Sequence, residues 1–560
     1  MMGGSEDVKT CTVAEAIVDC LKQEGVRYIF GLPGSQILEL LDAVHREPEL
    51  RFVLTRHEAN AAFMAHGYAV SSHSAGVCLA THGPGATNLL TGIAAAYKAS
   101  APVIALTGKA ELDVHQRDFF QEIDEVSLFR PITKWSCMVT RAQQAPDIVR
   151  KAFRIALSGR PGPVHINIPV NLLRETISYP PLSPERYRAP EESPLEGLND
   201  ALAARVLASL EAARFPVVLA GGEILRERAT PLLLELAEAL SLPVVTTINH
   251  LDAFPAVHPL GLGPIGKNGW DCANRAIATA DLLLALGAHF DFLSTNFSRD
   301  LLAPDTKVVH VSAVPERIGL IYPVELGVLS PTRPFLADLV RRVKGKPARE
   351  ADPRPAAWKR EWLAKRAQWG EARETPIKPQ YAAYSLHGVV PDDALYVLDG
   401  GNFAKFVRKC CDTREAGTFL NAEDFGTVGS GFPLALGAKM GQPSRTAVCV
   451  LGDGAFMMTL GELETAVREG INVVAVVFND SGFGNIRSYQ HSFFGRRYIG
   501  CDFSNPNFGD LARLFGGWGT QVRQPEELEG ALRQAFGVKG LAVVDVLVDP
   551  YALAAPTHQR

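Results

Sequence analysis

Short apolar runs alternate along this chain with segments of helical periodicity, and many of the runs end in polar turns that contain glycine. The clearest example lies near the C-terminal end, where the apolar run 446–451 stops at Gly452-Asp453-Gly454 and the run 473–478 stops at 479–482. A segment with one apolar helical face lies between them. Short β-rich runs on both sides of a helix predict two parallel strands joined by that helix.

The same alternation divides the chain into three blocks. The first block covers 8–180 and begins with a helix at 13–23, for which Thr12 is a suitable N-cap. A second block covers 190–345, a polar linker expected to carry one exposed helix covers 346–378, and a third block covers 379–550. The predicted fold class is therefore α/β, with three doubly wound parallel-sheet domains.

Two acidic residues stand where the predicted strands of the third block end. Asp453 and Asp480 follow successive strands, and open α/β sheets bind ligands at the carboxyl ends of their strands. If the strands are neighbours, the two carboxylates converge, and with the carbonyl of Gly482 they suit Mg²⁺. The Gly454 turn would let a diphosphate approach backbone N–H groups. The alternative is an ordinary strand–helix–strand unit with an acidic turn, since short motifs often match by chance.

Composition and charge exclude several classes of function. The chain has 560 residues, a formal net charge of −5 and no basic block, which argues against nucleic acid as a partner. Its nine cysteines include no CxxC pair, so we interpret them as reduced thiols in a cytoplasmic protein. No apolar run reaches the length of a membrane span, and we expect a protein that does not enter a membrane.

Several motifs together resemble a known family. The Gly-Asp-Gly turn followed by Asn479-Asp480 resembles the thiamine diphosphate motif. In the first block, the segments 31–35, 56–62 and 83–88, which read GLPGS, RHEANAA and GPGATN, are similar to the pyrimidine-binding domain of thiamine diphosphate enzymes. The match is best to the acetohydroxyacid (acetolactate) synthases, and it spans essentially the whole chain. The resemblance implies a pyrimidine-binding first domain, a central domain and a diphosphate-binding third domain.

The resemblance also implies roles for individual residues. Glu58 would hydrogen-bond the aminopyrimidine ring and so promote loss of the thiazolium C2 proton. Asp453, Asp480 and the Gly482 carbonyl would hold Mg²⁺, with Asp480 standing where many members have asparagine. Val428 falls where the synthases have the methionine that supports the bent cofactor. Contacts with the cofactor are further implied for Gly34, Asn88, Gly401, Asn402, Phe403, Gly426, Gly452, Gly454, Ala455, Phe483 and Gly484.

The implied substrate pocket departs from the synthase pattern. Phe120 and Gln121 match synthase pocket positions, and Gln121 is a catalytic candidate, whereas His82 replaces a serine. A histidine beside the reacting carbon can donate protons near neutral pH, although most lone histidines are structural. Lys405 replaces a methionine and Phe406 a tryptophan of the synthases. Lys405 and Arg487 would either attract a substrate carboxylate or serve as solvated surface charges.

The resemblance implies an activity but leaves one cofactor undecided. The synthases bind FAD in the central domain through an Arg-Phe-Asp-Asp-Arg element, and the matching stretch 287–292 lacks both arginines. The implied activity is a carboligase that decarboxylates pyruvate or a similar 2-oxo acid and adds the enamine to a second carbonyl. The alternatives are a 2-oxo acid decarboxylase or oxidase and, from another class, a non-catalytic binding protein. A homodimer is the implied minimum assembly, and a homotetramer is common in the family.

Overall fold

Three six-stranded parallel sheets, one in each predicted block, form the framework of the described chain. The computed structural model describes residues 8–188, 200–346 and 349–556, so the expected start of the second block at residue 190 lies outside the described residues. Helices cover the sheets, and the α/β class with three parallel-sheet domains is confirmed. No helix in these described ranges is long and apolar enough to cross a membrane.

The N-terminal domain follows the predicted alternation closely. Its sheet has the strand order β3-β2-β4-β5-β7-β6, and an antiparallel ribbon of β1 and β8, which was not predicted, lies outside it. Thr12 caps α1 as predicted, because its hydroxyl accepts a hydrogen bond from Glu15 N at 3.3 Å while the Glu15 carboxylate accepts one from Thr12 N at 2.8 Å. The elements are β1 Lys9–Thr12, α1 Val13–Gln23, β2 Tyr28–Gly31, α2 Leu38–His45, β3 Arg51–Leu54, α3 Glu58–Ser72, β4 Gly76–Ala80, α4 Pro84–Ala99, β5 Val103–Lys109, α5 Glu125–Phe129, β6 Trp135–Met138, α6 Ala145–Leu157, β7 Val164–Pro169, α7 Val170–Leu173 and β8 Thr176–Tyr179.

The central domain has the strand order β11-β10-β9-β12-β13-β14. The chain first adds strands on one side of β9 and then on the other, so the order changes direction between β9 and β12 while all strands stay parallel. The inner strands β9, β10 and β12 consist mainly of valine, leucine and alanine and are buried on both faces, as parallel strands between helical layers must be. The edge strand β14 instead alternates buried and exposed residues. The elements are α8 Asp200–Ala212, β9 Pro216–Ala220, α9 Gly222–Arg226, α10 Thr230–Leu240, β10 Val244–Thr246, β11 Gly261–Pro264, α11 Asp271–Thr279, β12 Leu282–Leu286, α12 Phe292–Thr295, β13 Lys307–Ser312, β14 Leu326–Leu329 and α13 Thr332–Val343.

The linker and the C-terminal domain complete the chain. The linker helix, expected to be exposed, instead buries Trp362 beside Trp270 of the central domain, with 6.1 Å between the ring centroids. The C-terminal sheet has the order β16-β15-β17-β18-β20-β19. The elements are α14 Arg354–Ala367, α15 Pro379–His387, β15 Leu395–Leu398, α16 Ala404–Cys410, β16 Phe419–Asn421, α17 Gly431–Gly441, β17 Ala447–Gly452, α18 Asp453–Met457, α19 Glu462–Arg468, β18 Val473–Asn479, α20 Gly484–Phe493, α21 Phe508–Leu514, β19 Trp518–Val522, α22 Pro525–Gly537 and β20 Leu541–Leu547.

Helices α3 and α17 join the N-terminal and C-terminal domains through direct backbone contact. A Cβ atom added to Gly67 of α3 would lie 2.0 Å from the carbonyl oxygen of Leu434, and one added to Gly437 of α17 would lie 1.9 Å from that of Met64. Neither neighbour is a flexible side chain, so only glycine fits at both positions. Alanines and leucines around this crossing belong to one buried cluster that extends into both sheets. The two domains of one chain therefore pack as a single unit.

We expect Gly437→Ala to destabilise this crossing, because the added methyl group must push two helix backbones apart. Overpacking of this kind costs about 1–3 kcal/mol. The matched control is Gly530→Ala in α22, where the added Cβ meets no atom within 4 Å. Thermal unfolding followed by circular dichroism should show a lower midpoint for Gly437→Ala and an equal or higher midpoint for Gly530→Ala. Equal midpoints for the two variants would contradict the close contact.

Candidate active site

The C-terminal domain brings two carboxylates to one edge of its sheet. Strands β17 and β18 are parallel neighbours, with Gly452 directly opposite Phe478, so the residues that follow them leave the sheet together. Asp453 begins α18, and Asp480 follows β18 directly. Burial raises the pKa of Asp453, and burial together with the nearby charge of Asp453 raises the pKa of Asp480. A divalent cation between the two carboxylates would offset both effects.

The Asp453 carboxylate is held in place by three donors. Its Oδ1 atom accepts a hydrogen bond from Gly454 N at 2.9 Å. Its Oδ2 atom accepts one from Gly482 N at 3.1 Å and one from the Asn505 side chain at 2.7 Å. Asn505 also donates to the side-chain oxygen of Asn479 at 3.0 Å, which ties it to the end of β18. No pattern in the sequence marks Asn505, because it lies on an irregular segment 52 residues beyond the carboxylate it orients.

A cavity of about 250 Å³ opens at this edge of the sheet. It is lined by all of the residues predicted to contact the cofactor or metal in this domain: Gly401, Asn402, Phe403, Gly426, Val428, Gly452, Asp453, Gly454, Ala455, Asp480, Gly482, Phe483 and Gly484. The ten-residue helix α20 begins there, so its first N–H groups lie near the cavity. No residue from 8–188 lines this cavity.

The two carboxylates suit Mg²⁺, which also binds water and phosphate oxygens, better than a metal ion coordinated by protein side chains alone. In the described ranges, no group of three or more His, Cys, Asp or Glu side chains is arranged to hold a metal ion. Two carboxylates and a backbone carbonyl leave several coordination positions for water and phosphate oxygens, which is how Mg²⁺ is usually bound. The donor set at Asp453, Asp480 and Gly482 therefore fits Mg²⁺ bridged to a diphosphate.

Three residues proposed for the substrate pocket have different surroundings. Lys405 lines the cavity, and its ammonium group donates to the side-chain oxygen of Asn485 at 2.9 Å and to the Ala555 carbonyl at 3.1 Å. Burial lowers the pKa of Lys405 to about 8. Phe406 points away from this cavity and packs edge-on against Trp369, with 6.2 Å between the ring centroids. Arg487 is buried and bound to Asp480, as described below.

The N-terminal domain gathers the other predicted residues around Glu58. Glu58 is the first residue of α3 and is only 6% exposed, and its Oε2 atom accepts a hydrogen bond from the Asn88 side chain at 2.9 Å. A Cβ atom on Gly85 would lie 3.4 Å from Glu58 Oε1. A Cβ atom on Gly34 would lie 2.4 Å from Thr81 Cβ, so the GLPGS segment packs tightly against the neighbouring turn. Glycine at positions 34 and 85 therefore allows the neighbouring segments to pack closely around Glu58.

A strained loop borders this group. Gln121 has a φ of 65°, in the left-handed region that non-glycine residues seldom adopt, and its carbonyl oxygen would lie 2.3 Å from a Cβ on Gly83. Next to that turn, His82 is fully buried, with its ring centroid 6.3 Å from that of Phe119. Burial lowers the pKa of His82, and the charge of Lys109 lowers it further. Phe120, by contrast, is 75% exposed.

Glu122 holds this loop in its strained conformation. Its carboxylate lies 2.5 Å from His115 Nδ1 and accepts hydrogen bonds from Gln116 N at 3.0 Å and Phe119 N at 3.4 Å. The buried ammonium of Lys109 lies 3.5 Å from the same carboxylate. The sequence pattern did not predict Glu122 and Lys109 as site residues, although Glu122 directly follows the predicted site residue Gln121. Their place near the site emerges only when the loop folds back.

Side chains of the chain itself contact the turns that border the crevice between β9 and β12, where the order of strands in the central sheet changes direction. Such a crevice is the usual nucleotide site of a doubly wound sheet. Here His250 covers the first turn after β9, since its Nε2 atom would lie 2.4 Å from a Cβ on Gly222. The Glu223 carboxylate accepts hydrogen bonds from Ser312 Oγ at 2.7 Å and Ala313 N at 2.9 Å. The same turn borders a cavity of about 750 Å³, which Gly222, Arg226 and His250 line together with residues of the N-terminal domain.

Comparison with known proteins agrees with this geometry. Three families match successive parts of the chain: the N-terminal thiamine pyrophosphate binding domain at 11–128, the central domain of these enzymes at 203–339, and their C-terminal thiamine pyrophosphate binding domain at 399–546. The acetolactate synthase large subunit of Haemophilus influenzae is 33% identical over 557 residues, which cover 99% of this chain and 97% of that protein. The acetolactate synthase isozyme 3 large subunit of Escherichia coli is 34% identical, with 96% and 94% covered. A probable acetolactate synthase large subunit of Methanocaldococcus jannaschii is also 34% identical, with 96% and 92% covered.

We expect Asn505→Ala to weaken divalent-metal binding about tenfold, as is typical when a group that orients a metal ligand is removed. The measurement is the Mg²⁺ concentration needed for half-maximal binding of thiamine diphosphate. Asn507→Ala is the matched control, because Asn507 caps α21 by accepting a hydrogen bond from Asp510 N at 3.1 Å and is not one of the three donors to Asp453. The control should lose about 1 kcal/mol of stability and keep its metal affinity. Equal metal affinities for Asn505→Ala and the unmodified protein would contradict the role given to Asn505.

Proposed function

Since the chain belongs to the acetolactate synthase family of thiamine pyrophosphate enzymes, we propose that it decarboxylates pyruvate or a similar 2-oxo acid and joins the remaining unit to a second carbonyl compound. The observation that carries the proposal is the cavity at the C-terminal sheet edge, which collects the motif glycines, Asp453, Asp480 and Lys405. The full-length similarity to acetolactate synthases supports ligation over simple decarboxylation.

The cofactor would be held by residues of both terminal domains. Asp453, Asp480 and the Gly482 carbonyl would hold Mg²⁺, and the backbone at 401–403, 454–455 and 483–484 would bind the diphosphate. When bound, thiamine diphosphate supplies a carbon centre that stabilises the negative charge left by loss of CO₂. Glu58, fixed by Asn88, would hold a proton against the aminopyrimidine ring. Val428, which is 40% exposed at the cavity rim, would support the bent cofactor.

The substrate would be positioned by residues from both half-sites. Lys405 carries a positive charge at the cavity wall and would bind the carboxylate of the 2-oxo acid. Gln121, on the loop that Glu122 holds, and His82, on the turn between β4 and α4, would face the reacting carbonyl from the N-terminal domain. His82 would donate or accept a proton at that carbonyl oxygen. Phe120, exposed on the same loop, would close over the acceptor.

We further propose that two chains combine to form each site. In one chain, the Glu58 group and the C-terminal cavity do not share a lining, since no residue from 8–188 lines that cavity. Large apolar side chains near it are exposed: Phe425 (47%), Val428 (40%), Met457 (41%) and Met458 (57%). A second copy that presents its Glu58 group would cover them. A homodimer is then the minimum active unit, and association of two dimers would give the homotetramer common in the family.

We propose that the enzyme works without flavin and in the cytoplasm. The stretch 287–292 lacks both arginines of the element through which the synthases bind FAD, and the central domain would then serve as a structural support between the terminal domains. The nine cysteines are all free thiols, which suits a reducing compartment such as the cytoplasm.

The test is to incubate the purified protein with thiamine diphosphate, Mg²⁺ and pyruvate, with and without added FAD, and to identify the products by mass spectrometry. We expect a five-carbon acetohydroxy acid at the same rate with and without FAD. Acetaldehyde alone would replace the proposal with a decarboxylase, acetate formed only with FAD would replace it with an oxidase, and no turnover of any 2-oxo acid would favour a binding protein.

We expect Glu58→Gln to lower kcat at least about 100-fold, because the amide cannot share a proton with the aminopyrimidine ring. Binding of thiamine diphosphate, followed by calorimetry, should persist. Glu526→Gln is the matched control, since Glu526 also lies in the first turn of a helix but is exposed. Full activity in Glu58→Gln would remove Glu58 from the mechanism.

The pH dependence of kcat/KM for pyruvate tests Lys405. Burial lowers the pKa of Lys405 to about 8, so its positive charge is present below that pH and is lost as the pH rises through it. We expect kcat/KM to fall above about pH 8 in the unmodified enzyme and to be low and flat across this range in Lys405→Gln. The control is Lys409→Gln, on the same helix but outside the cavity lining, which should keep the alkaline decline. An alkaline decline that persists in Lys405→Gln would exclude this role.

A further inference from the structure

Arg487 binds the loop that carries two of the three proposed metal ligands. Its Nη1 atom donates to the Asp480 carboxylate at 3.1 Å and to the Pro550 carbonyl at 3.0 Å. Its Nη2 atom lies 3.4 Å from the carbonyl oxygens of both Asp480 and Ser481. The side chain is 3% exposed, so water contributes little to the solvation of its charge. One guanidinium thus contacts the side chain and the backbone of the metal loop.

The guanidinium also fixes the position of Gly482. A Cβ atom on Gly482 would lie 2.2 Å from Arg487 Nη2 and 2.3 Å from the Cys501 carbonyl oxygen. The glycine backbone is therefore pressed between the guanidinium and the neighbouring segment. Gly482 N donates to Asp453, which leaves the Gly482 carbonyl as the group available to a metal on this turn. The place of that carbonyl depends on the guanidinium packed against its residue.

A second carboxylate holds Arg487 from the opposite side. Asp502 accepts hydrogen bonds from Arg487 Nε at 3.0 Å and Nη2 at 2.7 Å. The Asp502 side chain is 63% exposed, so its charge is largely screened by solvent. Asp480 is far less accessible, at 12%. The electrostatic partner of Arg487 that matters for the cavity is therefore Asp480.

The charge of this pair explains how an aspartate can serve beside a diphosphate. An unpaired Asp480 would add a negative charge next to Asp453 and the diphosphate, and like charges at a buried site are costly. The Asp480–Arg487 pair carries no net charge, and Arg487 Nη1 binds one of the two carboxylate oxygens of Asp480, Oδ2. Electrostatically the pair resembles a neutral amide at position 480.

We infer that Arg487 is a positioning residue for the metal, and that Asp480 and Arg487 act together as one neutral ligand unit. The inference rests on the proposed magnesium and thiamine diphosphate site and deepens it. It also assigns Arg487 to the metal loop and not to the substrate carboxylate. Neither residue can then be replaced alone without disturbing the metal, whereas replacing both together restores the charge balance.

The test uses the full-length protein and measures Mn²⁺ binding in the presence of thiamine diphosphate, with free Mn²⁺ followed by electron paramagnetic resonance. The variants are Arg487→Met, Asp480→Asn and the double variant Asp480→Asn/Arg487→Met. We expect each single variant to weaken Mn²⁺ binding about 10–100-fold, the usual effect of disturbing groups around a metal ligand. The double variant should bind Mn²⁺ more tightly than either single variant.

A second double variant shows whether the rescue is specific. Asp502→Asn/Arg487→Met removes the other partner of Arg487 and should remain as impaired as Arg487→Met. If Arg487→Met fails to fold, Asp480→Asn, which keeps the shape of the side chain, still decides the matter. Unchanged Mn²⁺ affinity in Asp480→Asn would overturn the inference, and so would a double variant no better than its single parents. An unmodified protein that binds neither Mn²⁺ nor thiamine diphosphate would overturn the proposed function instead.

Discussion

Electrostatic repulsion between Asp453 and Asp480 is the constraint around which the C-terminal domain is built. Two parallel neighbouring strands end at the same level, so the acidic residues that follow them lie close together. Hydrogen-bond donors around the two carboxylates offset this repulsion. Gly454, Gly482 and Asn505 bind one carboxylate, and Arg487 binds the other. What remains is a pair of oriented oxygen atoms that favour a hard divalent cation.

Much of this arrangement could be predicted from the sequence because it depends on local patterns. The boundaries of α1, the parallel pairing of β17 with β18 and the convergence at Asp453 all follow from periodicity and from glycine turns. The family motifs added Glu58 and its surroundings. Residues whose roles depend on tertiary folding could not be found in this way. Asn505 and Asp502 reach the site from irregular segments, and no periodicity marks such residues.

Other expectations failed to anticipate the structure for physical reasons. The linker composition is polar, but a charged helix can still bury one aromatic residue, as Trp362 does, while its long charged side chains stay in water. The periodicity of apolar positions predicted one helix between β17 and β18, whereas the chain there forms two, α18 and α19. Phe406 matched a pocket position in the family pattern, yet it packs into the domain core against Trp369.

The backbone contact between α3 and α17 has a mechanical consequence for the proposed dimer. Because the backbones of α3 and α17 touch at Gly67 and Gly437, we expect the two terminal domains of one chain to move together. In the proposed assembly, this pair of domains carries the Glu58 group of one site and the metal loop of the other. A displacement that closes one site is then transmitted to its twin without any intervening relay of side chains. The conformation of one site would therefore set the geometry available to the other.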